Sequence, residues 1–135
     1  MEKVNQIIER QRPHFKTISP SCTLTDALSR MSSQNTDYLI VMDDNDKFLG
    51  LLTEHDVASK SIFMNKPLAK ASVTEMMNTR LPFADVEDTV EQCMRVMKKY
   101  HVRHLPVFKN LHLMGIVTTD DILNEAVSHR KEIFD

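Results

Sequence analysis

The sequence has only two glycines, Gly50 and Gly115, and that scarcity removes whole classes of enzyme. A phosphate-cradling P-loop and a dinucleotide-binding fingerprint each need several glycines at fixed spacing, so neither can be written here. No recognisable Ser/His/Asp or Cys/His arrangement is present either, and the expectation is a chain that is not an enzyme. Charge of one sign is also lacking. Seventeen Lys and Arg stand against nineteen Asp and Glu, a net charge of −2, whereas general nucleic-acid binders carry a marked basic excess. No stretch approaches the length of a membrane span, and the opening MEKVNQIIERQRP lacks the apolar core of a signal peptide. The default expectation is therefore a cytoplasmic protein with neither nucleic acid nor membrane as partner. The two cysteines form no C-x-x-C: Cys93 reads as a reduced core residue on a helical stripe, and Cys22 sits just before the equivalent helix of the first half. His55, His101, His104, His112 and His129 give no H-x-x-x-H on a helix and no Cys/His cluster, so no metal site is expected.

What is present is a repeat, and the two glycines open it. Gly50 to Asp56 (GLLTEHD) and Gly115 to Asp121 (GIVTTDD) share the order glycine, two aliphatics, Thr, two variable residues, Asp. The aliphatic pair reads as the end of a buried strand and the Thr as the start of a helix. Its hydroxyl can accept from a backbone N–H of the first turn, and an acid three residues on suits the positive end of the helix dipole. Two readings stay open for each motif: a helix cap with no ligand, and an anion-favouring site. Downstream of the glycines the two halves stay 65 residues apart. Upstream the offset is 66, with Thr23 facing Thr89, Leu28 facing Met94, Met31 facing Met97, Tyr38 facing His104 and Val41 facing Val107. The lost residue falls in the polar turn, DDNDKF against KNLHL, where chains tolerate length change.

Each copy reads β-α-β-β-α, an α/β (α+β) unit. A short extended segment (Lys16 to Ser19; Pro82 to Asp85) precedes a helix with apolar residues at helical spacing (Leu24, Ala27, Leu28, Met31; Val90, Cys93, Met94, Met97). Then come two strands (Tyr38 to Met42 and Phe48 to Leu52; His104 to Phe108 and Leu113 to Val117) and the helix after the Thr. Neither copy would bury much apolar surface alone. Residues 2 to 10 predict a short amphipathic helix with Val4, Ile7 and Ile8 on one side, stopped by Pro13. It is too short to persist unless it packs on the module or on a second subunit. Ser72 with Glu75 predicts a capping box, and a last helix is expected from Asp120 through Val127, followed by a charged tail. The expected boundaries are an N-terminal helix over 1–13, the first copy with its connector over 14–71, and the second copy with the C-terminal helix over 72–135.

The two G-h-h-T-x-x-D stretches, the HLPV run at His104 to Val107 after a methionine-rich helix, and the EMM turn at Glu75 to Met77 resemble a tandem pair of CBS domains, the Bateman module. The likeness covers roughly residues 12 to 130 and is nearest to the small stand-alone CBS-pair proteins. It implies two repeats packed about a pseudo-twofold axis, with adenine-containing ligands in two clefts. AMP, ADP or ATP is the usual class, and S-adenosylmethionine or NAD a less frequent one; none is a required cofactor. The Asp would bond the ribose hydroxyls, the Thr would face phosphate, and residues before the L-P-V run of the other copy would line base and phosphate. Carried over, one cleft uses Thr53 and Asp56 with Val102, Arg103 and His104. The other uses Thr118 and Asp121 with Asp37, Tyr38 and Leu39. Arg103 and His104 favour phosphate in the first, with Arg80 as a further cation, while Asp37 repels it in the second and Tyr38 offers stacking area. The resemblance also implies a homodimer, head-to-head or head-to-tail, that regulates a partner of unknown identity. The competing expectation is a ligand-free interaction or dimerisation scaffold in which Thr and Asp serve only as caps.

Overall fold

In the computed structural model, residues 2–11 and 15–134 are described, with side chains described as far as Val127. Helices α1 (Val4–Gln11), α2 (Leu24–Ser33), α3 (Glu54–Lys60), α4 (Val73–Met76), α5 (Val90–Tyr100) and α6 (Thr119–Phe134) alternate with strands β1 (Thr17–Ile18), β2 (Tyr38–Met42), β3 (Phe48–Thr53), β4 (Ala84–Asp85), β5 (His104–Lys109) and β6 (His112–Thr118). The fold is α+β, with two three-stranded sheets in the orders β1-β2-β3 and β4-β5-β6. The chain divides into two compact units, one of residues 15–80 and the other of residues 1–14 with 81–135.

Within each unit the first strand runs parallel to the second, across a helical crossover, and the second pairs antiparallel with the third. The pairing repeats down to its irregularity. A bulge falls between Val41 and Met42 in one sheet and between Val107 and Phe108 in the other, each beside the glycine's partner, since Val41 faces Gly50 and Val107 faces Gly115. Both crossover helices close with a reciprocal cap, Thr23 with Asp26 and Thr89 with Gln92. Two orphan donors are thereby satisfied at each helix start. Just beyond their C-terminal ends, Asn35 and His101 take left-handed backbone, as a helix stop favours. The second hairpin is tighter than the first: Lys109 pairs with His112 across Asn110 and Leu111, both at positive φ, as a two-residue turn with the twist of its strands requires.

Strand alternation sends Leu39, Val41 and Leu52 into one core with Leu24, Ala27 and Met31, and Leu105, Val107 and Val117 into the other with Cys93 and Met97. The alternate residues between them, Ile40 with its partner Leu51 and Pro106 with its partner Ile116, point to the opposite face of their sheets.

The helix expected at residues 2–10 is α1, and its apolar side enters the core of the unit built on the second copy, where Val4, Ile7 and Ile8 are buried. Pro13, expected to stop it, lies outside the described residues. α4 does for the first copy's unit what α1 does for the second, sinking Val73 and Met76 into its core. The attachments match. Lys3 bridges Thr89, with Val4 N–H donating to Asp88 O at 2.9 Å and Val90 N–H to Glu2 O at 2.9 Å. Ser72 bridges Thr23, with Leu24 N–H donating to Ala71 O at 2.9 Å and Val73 N–H to Cys22 O at 2.8 Å. Each sheet-and-helix copy thus receives its covering helix from the segment that precedes the other copy in sequence. The Ser72–Glu75 capping box is present, with Ser72 N–H donating to Glu75 Oε2 at 2.7 Å. Lys66 pairs with the same carboxyl and, ahead of the Ser72 bond, holds it below the usual carboxylate range. α6 is longer than the sequence pattern marks, because no glycine or proline interrupts the chain between Val127 and Phe134.

Candidate functional site

In each unit the T-x-x-D motif stands where the third strand turns directly into a helix. Thr53 ends β3 with extended backbone, and its Oγ1 accepts from Asp56 N–H at 3.0 Å. Thr118 ends β6, and its Oγ1 accepts from Asp121 N–H at 3.1 Å. The residues before the second strand arrive at the same sheet end. Tyr38 is the cross-strand partner of Thr53, and Asp37 O accepts from Glu54 N–H at 2.8 Å. In the other copy His104 is the partner of Thr118, and Arg103 O accepts from Thr119 N–H at 3.1 Å. The first helical N–H is thus satisfied by the carbonyl just before the neighbouring strand, which leaves the threonine hydroxyl to the third residue of each helix, the Asp.

Asp37 and Arg103 are exposed, and Tyr38, His104 and Val102 half-buried. Leu39 turns its side chain wholly into the first core, so at the sheet end it presents only backbone. Arg80 is exposed. Its N–H donates to Asn78 Oδ1 at 3.1 Å, and Asn78 bridges Leu51, two residues before Thr53, so Arg80 is carried on the segment running beside β3.

The two acids differ in their surroundings. Asp56 is met by Lys60, one turn on, with Nζ 3.5 Å from Oδ1. Asp121 closes a full capping box, its Oδ2 accepting from Thr118 N–H at 2.9 Å, and the same oxygen accepts from Gln11 Nε2 at 2.9 Å. Sequence reasoning missed both partners. Lys60 was within reach of it, as the fourth residue after an acid on a helix. Gln11 was not, because no local pattern says which sheet the N-terminal helix covers.

The glycines are explained by close approach rather than by backbone conformation, since neither has a positive φ. A Cβ on Gly50 would stand 2.5 Å from the backbone oxygen of Asn78, and one on Gly115 would stand 3.1 Å from Ile8 Cδ1. Each marks the point where the segment of the covering helix crosses the third strand.

A family model for the CBS domain matches residues 4–62 and 73–128. The chain belongs to the CBS domain family and carries the domain twice. A solved CBS-domain structure is similar over 94% of this chain and 99% of its own, with a TM-score of 0.87 and 29% identity. Hypoxic response protein 1 of Mycobacterium tuberculosis is 28% identical over 79% of this chain and 75% of its own length. A crystal structure of Hypoxic Response Protein I, with two coordinated zinc ions, superposes with a TM-score of 0.76 at 25% identity, covering 93% of this chain and 99% of that one. Among the described residues here, no group of three or more His, Cys, Asp and Glu side chains is placed to hold a metal ion. Homoserine O-acetyltransferase of Methanobrevibacter ruminantium is 34% identical over 87% of this chain, which spans 23% of that protein. Among the described residues no helix is long and apolar enough to cross a membrane.

Proposed function

We propose that the chain is a regulatory module that binds adenine nucleotides of the AMP, ADP and ATP class at its two T-x-x-D helix starts and does no chemistry on them. One observation carries the reading. An acid with a threonine beside it recurs at the equivalent sheet end of both copies, next to residues able to meet a base or a phosphate. A carboxylate accepts from two vicinal hydroxyls, as a ribose presents them, and a threonine hydroxyl can donate to a phosphate oxygen.

The two sites are proposed to differ. Asp56 shares its unit with the cations Lys60 and Arg80, and its contact to Lys60 is a half-exposed pair that a ligand can displace at small cost. The Thr53–Asp56 site is assigned the more phosphorylated ligand on the strength of these two cations, which outnumber the exposed carboxylate of Asp37 at the same sheet end. Occupancy is signalled through a homodimer or to a regulated protein by differential affinity for two arrangements.

Thermal unfolding followed by circular dichroism tests the proposal with AMP, ADP, ATP, S-adenosylmethionine and NAD. A ligand of the folded state raises the midpoint once its concentration exceeds the dissociation constant. A rise of several degrees with an adenine mononucleotide at about 100 times its dissociation constant is expected. No rise with any of the five at millimolar concentration would favour the ligand-free scaffold, in which the capping box of Asp121 is that residue's whole role.

A further inference from the structure

Helix α1 ends on the acid of the second copy. Gln11, its last residue, donates from Nε2 to Asp121 Oδ2, the oxygen already taken by Thr118 N–H. Room for the amide comes from Gly115, where a Cβ would stand 3.3 Å from Gln11 Oε1. The helix is held in place on both sides of this contact. Val4, Ile7 and Ile8 are sunk in the core, and Arg10 forms a two-pronged ion pair with Glu125 of α6, the Nη2–Oε1 arm measuring 3.1 Å. Between α1 and α6 lies an open cavity of about 220 Å³ lined by Ile7, Arg10, Gln11, Asp121, Asn124 and Glu125. The first copy has a different arrangement. The segment crossing Gly50 approaches with backbone, and the charged partner of Asp56 comes from its own helix.

A carboxylate grips a vicinal diol by taking one hydroxyl on each oxygen. Oδ2 of Asp121 has two N–H donors in place, so a diol meets an oxygen whose lone pairs are committed. The bond from Thr118 N–H already fixes the orientation of the carboxylate, which leaves Gln11 nothing to add as a positioning group. We infer that Gln11 is a built-in competitor. α1 latches the second site by occupying the acid a ligand's sugar needs, and a ligand seated on Asp121 frees the last turn of α1. The latch rests on the reading of Asp121 as a sugar-binding acid, and it makes α1 the element that reports occupancy of that site.

The test is calorimetric titration of the full chain with AMP in an Asp56→Ala background, which isolates the second site. Gln11→Met keeps the length and helix preference of the side chain and removes its donor; unchanged far-ultraviolet dichroism verifies folding. The latch predicts that Gln11→Met tightens AMP binding roughly 10- to 100-fold, the size expected for release of one hydrogen bond to a charged group. It predicts also that saturating AMP speeds amide exchange at Ile8 to Gln11 in the Asp56→Ala protein. Asp121→Ala in the same background separates the two claims. If Asp121→Ala removes binding while Gln11→Met leaves it unchanged or weaker, or amide exchange in α1 does not respond to AMP, the latch is overturned and the sugar-binding role stands. If Asp121→Ala leaves AMP affinity unchanged, the sugar-binding role falls and the latch falls with it.

Discussion

At the scale of single residues, the chemistry of the chain is decided by what its reactive groups are packed against. Cys93 is 1% exposed on the inner face of α5, and burial, with Asp88 nearby, pushes its thiol from 9.0 up to about 11. The folded value lies above the unfolded one. The stabilising contribution of the neutral thiol is therefore complete below about pH 9 and is lost as the pH rises through 11. Wild type and Cys93→Ala, unfolded in urea at pH 8 and again near pH 11, should differ by roughly 2 to 3 kcal/mol less at the higher pH. A constant difference would mean that the thiol ionises in place without penalty. Cys22, partly exposed at the start of α2, should react with a thiol reagent in the native protein, while Cys93 waits for unfolding.

At the scale of elements, the glycines separate a crossing of backbone over backbone from one of side chains over backbone. Gly50→Ala drives a methyl into the carbonyl of Asn78, whose two bonds with Leu51, at 3.0 and 2.8 Å, hold the crossing segment to β3. Gly115→Ala meets only side-chain atoms, Ile8 Cδ1 at 3.1 Å and Ile8 Cγ2 and Gln11 Oε1 at 3.3 Å, which need give by only a few tenths of an ångström. Urea midpoints should show Gly50→Ala losing about 1 to 3 kcal/mol and Gly115→Ala clearly less; the reverse order would place the rigid crossing on the wrong strand. These elements also mark how far the sequence could be read. The strands around HLPV, the caps at Thr53, Thr118 and Ser72 and the apolar stripes of α2 and α5 were legible because each is a local pattern with a period or a capping residue. The short pairing strands Thr17–Ile18 and Ala84–Asp85 were legible as extended chain near their true limits. Which copy each covering helix serves was not legible. The bridges Lys3–Thr89 and Thr23–Ser72 join residues whose sequences carry no mark of one another, so Gln11 at Asp121 and Asn78 at Gly50 had no signature either.

At the scale of the whole molecule, duplication gives two T-x-x-D helix starts of one design with unequal dress. The threonine, the acid and the strand partner recur, whereas the neighbours of the acid do not: Lys60 in one copy, Gln11 in the other. The motif was readable because it is seven residues long and occurs twice. The inequality was only half readable, since Lys60 is four residues from Asp56 on the same helix and the amide on Asp121 arrives from the far end of the chain. Calorimetric titration of ATP into wild type, Asp56→Ala and Asp121→Ala puts the two-site proposal to its most direct trial. On that proposal, losing the carboxylate should weaken ATP at least about 10-fold in Asp56→Ala, with a smaller loss in Asp121→Ala. Equal losses would contradict the division of labour between the copies, and unchanged ATP binding in both variants would contradict nucleotide recognition by these acids.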